Sequence, residues 1–310
     1  MNRREFLQAA AAGTAALAFA PFDSGLPALA QDKQEARPIW KVGGFTKVLQ
    51  DLSYEKTAQA AVDVGWDGIE CPVRAKGHVL PERVEEDLPK FAEALKAKGL
   101  EILVLATDLR GADEPHTEKV LKAAAKLGIR LYRVGPFRYK EGSSIPKQLD
   151  EIRARLKDLA AMNKEIGVTG LMQNHSGNGY VGAPMWDLHE LLKDFDPRLF
   201  GVHFDIGHAT VEHGLSWPTA FDLLKERIGA VIVKDFYWKH TPGEGAKTVW
   251  VPIGQGSIHQ KFFKMLKVSP CRGPITMQFE YPWEGGDGSL DARLRALKAD
   301  NAKLREWLKA

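Results

Sequence analysis

The segment Phe204-Asp205-Ile206-Gly207-His208 puts a carboxylate at the end of an apolar run and an imidazole three residues later. Such a pair can ligate a metal ion, or hold a sugar hydroxyl and move its proton. The same spacing also suits a carboxylate that caps a turn beside an ordinary loop histidine, so the motif acquires meaning only from its company. Residues 199–204 read as a short buried strand, and Gly207 permits a tight turn towards a helical pattern that begins near Trp217.

Chemistry at this spot needs a frame to hold it. Short apolar runs alternate with amphipathic helical patterns eight times along the chain, which specifies a parallel sheet. The predicted strands are 41–45, 66–71, 100–106, 130–134, 167–173, 199–205, 228–235 and 275–280. Among the helices, 81–98 opens with proline and carries Val84, Leu88, Phe91 and Leu95 on one face. The helix over 145–166 repeats Leu149, Ile152, Leu156 and Leu159, and one over 289–308 closes the series. Eight units without a Gly-x-Gly-x-x-Gly turn favour a single (β/α)8 TIM barrel over an open, doubly wound sheet with a second domain. Barrel enzymes keep their chemistry at the C-terminal ends of the strands. There the chain offers Glu70, Arg133, Gln173, Asn174, His175, Asp205, His208, Lys234, Asp235 and Glu280. A ring of this composition suits a divalent ion or a polyhydroxylated substrate. Lys234 either holds an oxyanion or simply pairs with Asp235.

Two long loops are expected at the same end, 174–185 and 236–259, the second a lid or binding wall. Trp217, Phe236, Tyr237, Trp238, Trp250, Tyr281 and Trp283 all follow strands six to eight, where apolar sugar faces can stack. No phosphate cradle is evident.

With these residues in place, the chain resembles the xylose-isomerase-like barrel superfamily of sugar isomerases, epimerases and related lyases over essentially all of residues 38–310. The resemblance rests on Gly65-Trp66-Asp67-Gly68-Ile69-Glu70, Gln173-Asn174-His175, Phe204-Asp205-Ile206-Gly207-His208, Val233-Lys234-Asp235 and Phe279-Glu280. It implies a divalent cation, manganese or magnesium, held by a Glu of strand five, an Asp of strand six, a His of strand seven and a Glu of strand eight. Asp205 and Glu280 match, whereas Gln173 replaces the first Glu and Ile232 the His. The implied metal ligands are thus Asp205, Glu280 and Gln173, helped by a neighbour such as His175 or His208. Two-base epimerisation would use both glutamates, and Gln173 cannot take a proton. The expectation is therefore a metal-assisted isomerase or lyase that abstracts one proton next to a carbonyl of a sugar or keto-glycoside. Glu280 would be base and ligand, His208 a donor or proton shuttle, and Lys234 an oxyanion partner. Glu70, Arg133, Asn174, His175 and Trp238 would contact substrate. The alternative is a non-catalytic carbohydrate-binding protein with a degraded metal site. The related DNA endonucleases fit poorly, since they want more histidines and a basic groove.

The N-terminus bounds where this would happen. Asn2-Arg3-Arg4-Glu5-Phe6-Leu7 precedes an uncharged alanine-rich stretch and Ala28-Leu29-Ala30, a twin-arginine export signal over 1–30 with a linker over 31–37. A periplasmic location, passage through the twin-arginine machinery and no stable membrane insertion after signal removal follow from that reading. Charged residues make up 27% of the chain with a net charge of +3, scattered rather than striped, which argues against a nucleic-acid partner. Cys71 and Cys271 read as unpaired thiols.

Overall fold

The computed structural model describes residues 40–309 apart from 244, 284 and 285. The export signal and linker expected over 1–37 lie outside the described residues. Strands β1 (Val42–Phe45), β2 (Gly68–Val73), β3 (Glu101–Thr107), β4 (Leu131–Arg133), β5 (Thr169–Gln173), β6 (Phe200–Asp205) and β7 (Ile228–Val233) run parallel. An antiparallel hairpin of β8 (Asp235–Thr241) and β9 (Gly245–Val251) follows. Strand β10 (Ile275–Met277) then pairs with both β1 and β7 and closes an eight-stranded barrel. This is the single (β/α)8 architecture that the alternation predicts.

The helices around it are α1 (Tyr54–Val64), α2 (Val84–Lys96), α3 (Thr117–Lys126), α4 (Ile145–Ile166), α5 (Trp186–Leu192), α6 (Ile206–His213), α7 (Trp217–Leu224), α8 (Lys261–Val268) and α9 (Leu290–Lys309). Helix α4 has proline in its first turn and ends where Gly167 adopts a φ of 78°. Its buried Leu149, Ile152, Leu156 and Leu159 lie one or two turns apart on the barrel side, each worth about 1.5–3 kcal/mol of burial. Helix α2 buries the expected Val84, Leu88, Phe91 and Leu95, although residues 81–83 form a tighter 3-10 turn before it.

Inside the barrel, Leu103, Val104, Leu171 and Ala230 pack together with Leu131. Side chains alternate along a strand, so two residues beyond Leu131 and Leu171 the inward positions are Arg133 and Gln173. An apolar plug thus gives way to polar groups towards the C-terminal ends. Two register shifts occur in this region, at Ile69/Glu70 and at Val202/His203. Bulges of this kind re-aim side chains, and each immediately precedes a buried ionisable residue.

Two local expectations need correction. The helix expected near Trp217 is present as α7, but a further helix, α6, already starts at Ile206 in place of a tight turn, because Asp205 is its N-cap and its side chain accepts the His208 backbone N–H at 3.0 Å. Asp205 therefore does cap a turn, as one reading of the motif had it. Residues 236–259 are not an irregular loop either: most of that span is the β8–β9 hairpin, fixed by seven register pairs. Cys71 and Cys271 are both free and buried, as expected. Among the described residues no helix is long and apolar enough to cross a membrane.

Candidate active site

Six buried or half-buried side chains at the C-terminal end of the barrel form a closed circuit. Arg133 of β4 donates to Gln173 Oε1 at 3.2 Å. Gln173 Nε2 donates to Asp205 Oδ2 at 3.0 Å. The Lys234 ammonium lies 3.2 Å from the same oxygen and 3.4 Å from Gln278 Oε1. Gln278 Nε2 reaches Glu70 Oε1 at 3.5 Å, and Arg133 completes the circuit 3.7 Å from that oxygen. Two cations and two carboxylates alternate, with an amide bridging each long gap. Arg133 and Lys234 can only donate, so each amide must turn its oxygen to a cation and its NH2 to a carboxylate.

Each member is held by the local fold. Asn174 braces Asp205 on the backbone, accepting its N–H at 2.7 Å and donating to its carbonyl at 2.9 Å. Thr276 of β10 donates to Glu70 Oε2 at 2.8 Å. The Lys234 stem passes over Gly207, where a Cβ would stand 2.9 Å from Lys234 Cγ and 2.6 Å from its carbonyl oxygen. Only glycine at that position lets α6 approach the backbone just past β7 so closely. Lys234 Nζ also faces the Trp250 ring of the hairpin, 4.8 Å from its centroid.

His208 stands directly against this circuit. Its Nε2 is 2.7 Å from Lys234 Nζ, and its Nδ1 is 2.6 Å from the Ser176 hydroxyl. The ammonium has no lone pair, so Nε2 accepts and the proton resides on Nδ1, donated to Ser176. Burial, reinforced by Lys234 and His175, holds the imidazole well below its ordinary range and therefore neutral. The His175 ring stacks on Tyr180 and lies tilted against His208, each at 4.1 Å between ring centres, and its Nδ1 lies 2.8 Å from the Ser176 carbonyl. A carbonyl only accepts, which fixes the proton on Nδ1 and leaves Nε2 with its lone pair. Burial is again the main cause of the lowered His175 pKa. For Glu70, burial raises the carboxyl above its usual range despite Arg133 beside it. Deeper in the barrel, His203 is buried with both ring nitrogens unpartnered, and burial together with Arg133 pushes its pKa down to about 3.

A cavity of about 220 Å3 opens beside this circuit, lined among others by Arg74, Arg133, Gln173, His175, Gln278 and Glu280. A larger one of 850 Å3 lies by residues 126–129 and 100–102, at the N-terminal ends of β3 and β4. Only the smaller is at the end where barrel enzymes act. Glu280 is exposed at its rim, and no hydrogen bond or ion pair engages it among the described residues.

The expected ligand set Asp205, Glu280 and Gln173 is therefore not assembled. Gln173 presents NH2 rather than an oxygen to Asp205, and no bond links Glu280 to either. Among the described residues no three His, Cys, Asp or Glu groups converge to hold a metal ion. Ile232, the register partner of Asp205, is fully buried and supplies only hydrocarbon. A divalent cation wants a shell of oxygen donors, and two fixed cations already stand among these. The donor set does not fit it.

Other assignments shift as well. Asn174 is spent on backbone and Glu70 on the circuit, whereas Arg133 and His175 do line the cavity. Asp235 does not pair with Lys234: its carboxylate accepts the backbone N–H groups of Phe236, Gly254, Gly256 and Ile258 at 2.8–3.1 Å. Trp238 is exposed on the hairpin beyond the cavity lining, as is Tyr237, while Trp217, Phe236 and Tyr281 are core. Gln278, Thr276 and Ser176 went unread, although the two-residue alternation back from Glu280 points to Gln278 and Thr276.

A family model described as xylose isomerase-like TIM barrel matches residues 58–309. No curated protein sequence matches significantly. Among solved structures, the 3-keto-D-glucoside 4-epimerase of E. coli is 14% identical, with a TM-score of 0.65 over 88% of this chain and 100% of that one. A putative xylose isomerase of Rhodospirillum rubrum is 19% identical, with a TM-score of 0.65 over 85% and 99%. A xylose isomerase-like TIM barrel protein of Mycobacterium smegmatis, solved in complex with magnesium, is 15% identical, with a TM-score of 0.61 over 87% and 98%. At these identities the likeness is one of fold.

Proposed function

Because the chain belongs to the xylose isomerase-like TIM barrel family, we propose that it is a sugar-modifying enzyme, an isomerase or lyase that abstracts a proton next to a carbonyl of a sugar or keto-glycoside. The observation that carries this reading is the pairing of an uncommitted carboxylate, Glu280, with the neutral imidazole of His175 on the wall of one small polar cavity. At about 220 Å3 the cavity is smaller than the roughly 300–1,000 Å3 of sites for drug-sized ligands, which suits a single sugar ring.

Glu280 takes the proton from the carbon beside the carbonyl, and the C–H electron pair moves into the C–C bond as the carbonyl becomes an enolate. Arg133 and the amide of Gln173 line the cavity as donors for sugar oxygens. The enolate then either receives the proton on the former carbonyl carbon, while the hydroxyl proton on the adjacent carbon passes to the former carbonyl oxygen and leaves a new carbonyl there, giving the isomer, or expels a β-oxygen to which a proton is delivered, giving the elimination product. The Nε2 lone pair of His175 is a second place for the travelling proton. No step passes through a metal ion, since the donor set does not suit the manganese or magnesium that the family resemblance implied. Named activities of the structural relatives favour the sugar assignment: one is a 3-keto-D-glucoside 4-epimerase and another a D-psicose 3-epimerase. The twin-arginine pattern of residues 2–30 supports placing this activity outside the cytoplasm as part of the same proposal.

A panel of ketosugars and 3-keto-glycosides incubated with the purified protein tests the reading. Conversion of at least one to an isomer or unsaturated product supports it. Binding of such sugars with no product from any of them would instead identify a carbohydrate-binding protein.

A further inference from the structure

We infer that the ammonium of Lys234 is a built-in replacement for a bound divalent cation, and that the closed circuit around it makes the site independent of metal ions. The inference deepens the reading above by naming what supplies fixed positive charge beneath the cavity, and only its catalytic consequence rests on that reading.

The ammonium is seated as an ion would be. Asp205 Oδ2 at 3.2 Å, Gln278 Oε1 at 3.4 Å and His208 Nε2 at 2.7 Å surround it, with the face of Trp250 on a further side. Two oxygens and an imidazole nitrogen are the donors a first-row divalent ion accepts, but here a covalently tethered cation receives them. Lys234 is 4% exposed and Asp205 fully buried, so neither charge is left to water. The stem reaches this seat only because position 207 is glycine.

Charge balance supports the same conclusion. Around the circuit Arg133 and Lys234 stand against Asp205 and Glu70, and the two bridging groups are amides rather than carboxylates. A divalent ion added to this neutral set would meet an ammonium about one hydrogen bond away, at a repulsion that low local dielectric enlarges. Gln173 and Gln278 differ from glutamate by one atom each. Converting both while removing the ammonium would leave one cation among four carboxylates, a set that calls for an ion.

The test is a Mn2+ titration followed by electron paramagnetic resonance on chelator-stripped protein. It is read alongside the unfolding temperature with and without Mn2+, and needs no knowledge of the substrate. Wild type is expected to leave added Mn2+ free at micromolar concentrations and to unfold at an unchanged temperature. The Gln173→Glu/Lys234→Met/Gln278→Glu variant is expected to bind one Mn2+ per chain, with at least a tenfold gain in affinity over wild type and stabilisation by the ion. Stoichiometric, tight Mn2+ binding by wild type overturns the inference, as does a folded triple variant that takes up no ion. Should the triple variant fail to fold without ion, refolding in Mn2+ is the expected result, and failure to refold in it counts against the inference. Loss of all sugar turnover with wild type still free of metal would sink the proposed reaction but leave this inference standing.

Discussion

Lys234 Nζ lies 3.2 Å from Asp205 Oδ2, and both side chains are sealed from solvent at the end of the barrel. Removing one partner of such a pair strands the other. Lys234→Met is expected to lower stability by about 3–5 kcal/mol, and Lys234→Met/Asp205→Asn to recover much of that loss, since no charge is then left unpaired. Urea unfolding of the two variants and wild type checks the order.

Gly207 lets the lysine stem through. Gly207→Ala would place a Cβ 2.6 Å from the Lys234 carbonyl oxygen, a backbone atom held between β7 and β8. A cost of about 1–3 kcal/mol is expected, as for other overpacked sites, and the displaced ammonium should loosen the His208–Ser176 bond. Unfolding temperature and the His208 imidazole resonances report the two effects separately.

The hairpin that brings Trp250 over Lys234 is tied down by Asp235, whose carboxylate gathers four backbone N–H groups from residues 236 to 258. Gly256 permits this gathering, since a Cβ there would stand 2.3 Å from Asp235 Oδ1. Asp235→Ala leaves those donors without an acceptor, at a cost on the order of 3 kcal/mol or more. Faster hydrogen exchange across 252–258, with β1 to β6 unchanged, is the expected signature.

Asp300 of α9 gives the fold a pH dependence unrelated to the site. It is buried, accepts the Tyr281 hydroxyl at 2.8 Å and the Ile253 N–H at 3.0 Å, and burial raises its pKa from 3.8 to about 6. Between those values the folded chain keeps a proton that the unfolded chain has released, so this group's stabilisation is complete below about 4 and lost as pH rises to about 6. The size is on the order of 3 kcal/mol. Asp300→Asn should flatten the unfolding temperature across that window and raise it at neutral pH, and a thermal melt series from pH 4 to 7 tests both.

Much of the fold was legible because its signals are local. The apolar stripe of α4 at Leu149, Ile152, Leu156 and Leu159 follows helical period, and the apolar runs of β5 and β6 end at Gln173 and Asp205 as expected. The helix start at Ile206 was obscured because Asp205 serves as both cap and site residue. The hairpin was hidden by the Gly- and Pro-containing composition of 236–259, which reads as loop unless cross-strand pairing is known. At the site, spacing marked which residues reach the barrel end but not which atoms they present. That Gln173 turns its NH2 to Asp205 depends on Arg133, 40 residues away, and that Lys234 leaves its neighbour Asp235 for Asp205 depends on the backbone of residues 254–258.

The proposed reaction is tested most directly by hydrogen exchange. Each ketosugar or 3-keto-glycoside that the protein binds is incubated with it in deuterated water, with and without chelator, and followed by NMR beside the Glu280→Gln variant. Wild type should place deuterium on a carbon next to the carbonyl regardless of chelator, and Glu280→Gln should slow this at least 100-fold, the scale of general-base catalysis. Exchange that proceeds at the same rate in Glu280→Gln, or no exchange with any bound sugar, would contradict it.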